Sequence, residues 1–215
     1  DNIGPMGGLA IGHSLAYGKN LSLLTLKLDY NSTLGTKGVV DLCTGLRTNR
    51  TLKQLHLQFC DISGAEGGTA LADVLANRMG VLEILNLTGN RLGGPGLSAL
   101  CQGLLVNVKL TNLSLADNMI DATEEDLQGL ADFRGCLQSR KSARPPDSAL
   151  THVDLMYNRI GERGAGILAE ALGPENSRIQ EFLVDLTLPL TMFEQIFRRD
   201  QGGKKKGGKK GKKKK

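Results

Sequence analysis

The strongest constraint on this chain is a spacing. An apolar triplet, Leu-x-x-Leu-x-Leu or a close variant, occurs six times, and three positions after its last member stands Asn, Cys or, once, Thr. The sets are Leu23, Leu26, Leu28 with Asn31; Leu52, Leu55, Leu57 with Cys60; Leu82, Leu85, Leu87 with Asn90; Leu110, Leu113, Leu115 with Asn118; Leu150, Val153, Leu155 with Asn158; and Ile179, Phe182, Val184 with Thr187. Asn2 and Ile3 match the end of a seventh set, and from Asn2 the steps are 29, 29, 30, 28, 40 and 29 residues. Such a period means a stack of like units rather than one closed core.

Within a unit, a Leu-x-Leu pair puts both leucines on one face of a short strand and sends the intervening residues to the other. The period then changes. Ile3, Gly7, Ile11, Leu15 recurs as Leu34, Gly38, Leu42, Leu46, as Leu92, Gly96, Leu100, Leu104, and as Ile160, Gly164, Leu168, Leu172; the second unit keeps Gly67, Leu71 and Leu75. Apolar residues at every fourth position form one stripe of a helix, and glycine near its start admits close backbone packing. A strand plus a helix cannot bury its apolar faces alone. The expected fold is α/β: a right-handed solenoid bent into a horseshoe arc over residues 1–187, with a parallel sheet on the concave face and helices on the convex one, in roughly six to seven units.

The asparagines answer a backbone problem. Where a strand bends toward its helix, peptide groups leave the sheet ladder near the core, and an Asn amide offers the donors and acceptor that satisfy them. A second series, Asn20, Asn49, Asn107 and Asn176, precedes the strands by three residues, with Asp147 in the same role. These residues predict structure, not chemistry.

The pattern resembles the ribonuclease-inhibitor type of leucine-rich repeat, and the resemblance covers residues 2 to about 187. Two departures stand out. The family often alternates Asn and Cys units, whereas only Cys60 takes the Cys role here. The fourth unit has Glu124 where the helix glycine is expected, shifts its leucines to Leu127 and Leu130, and carries extra residues.

Net charge is +5, but nine of the 27 basic residues lie in Lys204–Lys215; the other 203 residues hold 18 basic against 22 acidic side chains. The body is therefore mildly acidic, and a nucleic-acid-binding body is not implied. Cys43, Cys60, Cys101 and Cys136 form no CxxC and no disulfide framework, which predicts reduced thiols in a cytoplasmic setting. Asn-x-Ser/Thr sequons begin at Asn20, Asn31, Asn49, Asn86 and Asn112, but Asn31 and Asn49 sit at positions predicted to be buried. No stretch suits a membrane span. Because the chain opens inside a repeat, the expectation is an upstream extension or a covering partner.

Three segments break the pattern. Residues of about 135–147, ending in Pro145-Pro146, read as a polar, basic surface loop. Residues 188–200 read as a short helix over the end of the stack: Pro189 ends the last strand, and Thr191 with Glu194 has capping-box spacing ahead of Phe193, Ile196 and Phe197. Residues 201–215 are a Lys/Gly segment with nothing apolar to bury, predicted to be disordered. Its lysines, Lys204, Lys205, Lys206, Lys209, Lys210, Lys212, Lys213, Lys214 and Lys215, suit a polyanion: acidic protein tails such as those of tubulin, anionic lipid or nucleic acid, the last disfavoured by the lack of arginines and interleaved aromatics.

Catalytic constellations are wanting. His13, His56 and His152 fall in different units without partners at a telling spacing, and His56 and His152 read as outward residues, solvated or partner-contacting. Gly12–Asn20 has the wrong glycine spacing for a phosphate loop, and Asp121, Glu124, Glu125 and Asp126 suit a helix N-terminus rather than a metal. No cofactor is implied, and a non-enzyme is expected. Candidate binding residues lie on outward strand columns, Lys27, His56, Asn86, Ser114, Asp154, Leu183 and Asp29, Gln58, Thr88, Ala116, Met156, Asp185, which look electrostatically mixed. Just before the ladder residue stand Tyr30, Phe59, Gly89, Asp117, Tyr157 and Leu186, holding three of the eight aromatics. The selected protein-binding set is Tyr30, Phe59, Tyr157, Lys27, His56, Asp154 and Met156.

The repeat type together with a lysine-rich end is similar to leucine-rich-repeat subunits of cilia and flagella, which implies a cytoskeletal scaffold at the axoneme; the nucleus is the alternative location. The same repeat in the Ran GTPase-activating protein implies a second reading, regulation of a small GTPase, although that family ends in an acidic tail. A tropomodulin-like resemblance implies a third, actin regulation.

Overall fold

The computed structural model describes residues 2–121, 123–138, 149–173 and 176–199. The Lys/Gly segment and residues 139–148, with Asp147, lie outside them. Helices and strands alternate: α1 (Pro5–Leu15), β1 (Thr25–Lys27), α2 (Gly35–Leu46), β2 (Gln54–His56), α3 (Gly64–Leu75), β3 (Ile84–Asn86), α4 (Gly93–Leu104), β4 (Asn112–Ser114), α5 (Glu124–Leu137), β5 (His152–Asp154), α6 (Gly161–Ala169), β6 (Glu181–Leu183) and α7 (Leu190–Ile196). The strands form one six-stranded sheet in sequential order, every neighbour parallel and in register, so Leu26, Leu55, Leu85, Leu113, Val153 and Phe182 make one inward row. This is the expected α/β leucine-rich-repeat solenoid.

The core runs between sheet and helices. Strand leucines such as Leu57, Leu87 and Leu115 and stripe leucines such as Leu42 and Leu100 are fully buried. Phe133 and Phe182 are the largest buried side chains. Helices α1 and α2 touch through backbone. A Cβ at Gly12 would sit 2.6 Å from the Leu42 carbonyl oxygen, and one at Gly45 would enter the Gly12 carbonyl. Nothing larger than glycine permits that approach. Between α2 and α3 no such glycine pair exists, and a cleft of about 290 Å³ lined by Val40, Cys43, Thr44 and Asp73 separates them.

The asparagine ladder works as the backbone requires. Asn158 Nδ2 donates to the carbonyls of Leu115 (2.8 Å) and Leu155 (3.0 Å), and its Oδ1 accepts from the N–H groups of Asn118 (2.9 Å) and Ile120 (3.1 Å). Asn90 does the same for Leu57, Leu87, Cys60 and Ile62. Each amide ties its own turn to the preceding one. The Cys60 thiol donates to the Leu28 carbonyl at 3.1 Å, which explains its place in the ladder. Asn118 is the exception: its Oδ1 is buried with no partner. In the second series Asn49 donates to the Leu15 carbonyl and accepts from Thr51 and Leu52 N–H groups. The third unit uses Asn77, which the spacing did not reveal, donating to the Asn49 carbonyl at 2.7 Å. All four cysteines are free and buried. Burial pushes the Cys43 thiol pKa up to about 12.

Two sequence expectations need correction. The capping box at Thr191 and Glu194 does not form: Pro189 occupies the N-cap position, so Thr191 falls inside the first turn of α7, and no side chain caps that helix. A stronger device holds this end. Arg198 pairs antiparallel with Phe182, and its guanidinium donates to the carbonyls of Leu172, Gly173, Asn176 and Ile179. The segment read as a loop from residue 135 begins as helix, because α5 runs to Leu137 and buries Cys136 and Leu137. The acidic residues Glu124, Glu125 and Asp126 occupy the first turn of α5 as expected, and Asp126 is also buried. Its Oδ1 accepts from the Gly94 N–H at 2.5 Å, satisfying a free donor in the first turn of the neighbouring α4.

Candidate protein-binding face

The sheet's second face is uncovered among the described residues. Alternation within each strand sends Thr25 and Lys27, Gln54 and His56, Ile84 and Asn86, Asn112 and Ser114, His152 and Asp154, and Glu181 and Leu183 to this side. A shallow groove of about 390 Å³ crosses it, its polar wall including Asn86, Ser114, His152, Asp154 and Glu181. Ile84, Asn112, His152 and Glu181 belong to the first outward position of each strand. The two-residue period predicts that column, which adds Ile84, Asn112, His152 and Glu181 to the binding residues expected from the sequence.

Lys27 is exposed and lies opposite His56 in register. His56 and His152 are half-buried; His56 Nε2 is buried with no hydrogen-bond partner, and His152 Nδ1 lies 2.7 Å from Thr151 Oγ1. Asp154 accepts from the Met156 N–H at 2.9 Å, which fixes the carboxylate beside Met156. Burial, then the nearby Glu181 and Asp185, hold the Asp154 carboxyl above the usual carboxylate range, against the lowering by Met156 N–H and Ser114. The face is thus less uniform than its composition suggests: Lys27 and Asp29 stand on the β1 side, Asp154, Glu181 and Asp185 at the β5–β6 end.

The rim carries the least ordinary geometry. Tyr30 (φ 62°), Phe59 (φ 52°), Gly89 (φ 71°), Asp117 (φ 51°) and Tyr157 (φ 62°) all adopt the left-handed conformation, because the chain must turn sharply where it leaves each strand. Gly and Asp enter that region readily; an aromatic side chain does so at a cost of about 1 kcal/mol or more. Tyr30 and Phe59 stack at 5.1 Å between centroids with planes 9° apart. A Cβ at Gly89 would lie 2.7 Å from Phe59 Cζ, so the Phe59 ring fills the space above that glycine. Tyr30 and Tyr157 nonetheless remain 69% exposed, Phe59 39% and the neighbouring Leu186 83%. The structure therefore joins Tyr30 to Phe59 and Asp154 to Met156, while Tyr157 stands two units beyond Gly89. The sequence placed the aromatics in one column but carried no signal of their positive φ.

Comparison with known proteins agrees with this geometry. The family model described as Leucine Rich repeat matches residues 48–72, 81–101 and 148–169. Ribonuclease inhibitor from Mus musculus is 33% identical over 159 residues, covering 70% of this chain and 32% of that protein. NACHT, LRR and PYD domains-containing protein 12 from Mus musculus is 34% identical over 164 residues, covering 75% of this chain and 14% of that protein. The chain thus spans about a third or less of the length of these relatives. The tropomodulin C-terminal domain from Caenorhabditis elegans has the same fold, with a TM-score of 0.55, 12% identity and coverage of 77% of this chain and 90% of that one. No described helix is long and apolar enough to cross a membrane. The chain is a leucine-rich-repeat protein of the ribonuclease-inhibitor type.

Proposed function

We propose that this chain is a non-enzymatic protein-binding scaffold that grips its partner with the concave sheet face and its aromatic rim. In this reading Lys204–Lys215 binds polyanions, acidic tubulin tails foremost, within a microtubule-based axonemal assembly. The observation that carries the first part is the set Tyr30, Phe59 and Tyr157: large apolar rings held exposed on backbone that disfavours them. The core offers no competing explanation, since its leucines are buried by packing and its asparagines are engaged with backbone. Relatives include a protein named as a ribonuclease inhibitor, which supports a binding role.

The tail supports the second part by charge alone, with nine lysines in twelve residues. Microtubule co-sedimentation tests it. Binding should fall away when Lys204–Lys215 is deleted or when the acidic tails are removed from tubulin, and binding unaffected by either change refutes the assignment. A panel of small GTPases assayed with the purified protein should show unchanged GTP hydrolysis; stimulation would replace the scaffold reading with a regulatory one.

A further inference from the structure

We infer that the acidic end of the concave groove docks the chain's own Lys204–Lys215 segment, in cis. The groove is an open trough lined at this end by Asp154, Glu181 and the apolar Leu183, the cross-strand neighbour of Asp154, and Asp185 follows two residues beyond Leu183. Lys53 pairs with Glu83, Arg134 with Glu170 and Arg163 with Glu124, but among the described residues no ion pair reaches Asp154, Glu181 or Asp185. The raised pKa of Asp154 has the same origin, burial beside two like charges with no cation to offset them.

The path of the chain selects the occupant. Arg198 and Phe182 exchange both backbone hydrogen bonds, at 2.8 and 2.9 Å, so the last described residues run antiparallel along the outer edge of β6. That direction carries the chain past Glu181, the outward neighbour of Phe182. Asp200–Gly203 spans at most about 14 Å, whereas the β6 and β5 carboxylates lie one and two strand spacings away, each about 4.8 Å, with Asp154, in register with Leu183, about 7 Å back along the strand from Glu181. Lysines from Lys204 onward therefore reach Glu181 and Asp154 without strain. Tethering at this distance gives an effective concentration in about the millimolar range, enough for weak ion pairs to be populated. The tail's docking stands on this geometry; its consequence rests on the proposed function. A polyanion that draws the tail away uncovers the groove, so binding at the two ends is coupled.

Zero-length carbodiimide coupling of the full chain, with peptide mapping, tests the contact. Tail lysines should link to Asp154, Glu181 or Asp185 in preference to the exposed helix carboxylates Glu66, Glu125 and Glu162. The links should be intramolecular when isotopically light and heavy chains are mixed, and should vanish near about 1 M salt, where the screening length is about 3 Å. Polyglutamate affinity gives the second readout. D154N/E181Q/D185N should bind about threefold or more tighter than wild type because its tail is free, while E66Q/E125Q/E162Q, with the same charge change, should stay within about twofold. Links spread evenly over both carboxylate sets, links between chains, or equal tightening by the two variants would overturn the inference. If no form binds polyglutamate, the polyanion reading fails separately, and the coupling map still decides the docking.

Discussion

Replacing Asn158 with alanine should cost far more than the same change at Asn118, although both are buried ladder residues. Asn158 bonds five backbone groups: four that rely on it, the carbonyls of Leu115 and Leu155 and the N–H groups of Asn118 and Ile120, and the Met156 carbonyl, which also accepts from the Asp117 N–H. Its removal orphans all four. At about 1 kcal/mol or somewhat more for each unsatisfied buried group, the loss is about 4–5 kcal/mol. Asn118 donates to the carbonyls of Leu87 and Ala116, but Leu87 also accepts from Asn90 Nδ2 and Ala116 from the Gly89 N–H, and Asn118 Oδ1 has no partner to lose. Its truncation strands no backbone group and should cost about 1–2 kcal/mol. Against a domain stability of about 5–15 kcal/mol, the first change is near disabling and the second is tolerated. Urea titration of both variants measures the difference, and hydrogen exchange locates it: the amides of Asn118 and Ile120 should lose protection in N158A alone. Equal destabilisation, or a larger effect at Asn118, would refute the backbone-satisfaction argument.

Two further outcomes follow from packing and burial. Gly45→Ala should destabilise by about 1–3 kcal/mol, because the new methyl must push α1 from α2, whereas Gly166→Ala in α6, with nothing within 4 Å, should be neutral or stabilise by up to about 1 kcal/mol; thermal melts of the pair check both signs. The Cys43 thiol has its folded pKa raised from 9.0 to about 12, so the unfolded chain loses this proton first as pH rises. Its contribution is therefore fully present below pH 9 and declines by about 1.4 kcal/mol per pH unit up to about pH 12. Cys43→Ala should flatten that alkaline limb in denaturation curves, and an unchanged slope would contradict the assignment.

What the sequence made legible is what repeats. The inward row from Leu26 to Phe182, the helix stripes and the role of Asn31, Asn90 and Asn158 follow from spacing, since each unit must bury the same faces and satisfy the same peptide groups. What escaped depends on one unit meeting another. The left-handed backbone under Tyr30, Phe59 and Tyr157 arises from a turn whose sharpness no residue type in that column announces; only Gly89 and Asp117 hint at it. Glu181 matters because β6 lies beside β5 and Arg198 returns along its edge, neither visible in its own repeat. The Thr191–Glu194 spacing misled because Pro189 starts α7 early enough to place Thr191 inside it. Asp126 sits in the first turn of its own helix as its position implied, and it also serves α4 across the stack, which its own repeat does not show.

The central claim is that the rim aromatics are kept for contact and not for stability. Tyr30→Gly/Phe59→Gly/Tyr157→Gly tests it, because glycine relieves the left-handed strain while removing the rings. Partner capture from extracts of ciliated cells, read by quantitative mass spectrometry beside a thermal melt, is the decisive measurement. The account predicts that proteins retained by the wild-type chain fall by about tenfold, the loss expected for one well-buried aromatic contact, while stability changes by no more than about 1 kcal/mol. Retention of the same proteins at wild-type levels, or a collapse of the fold that explains the loss, would contradict it.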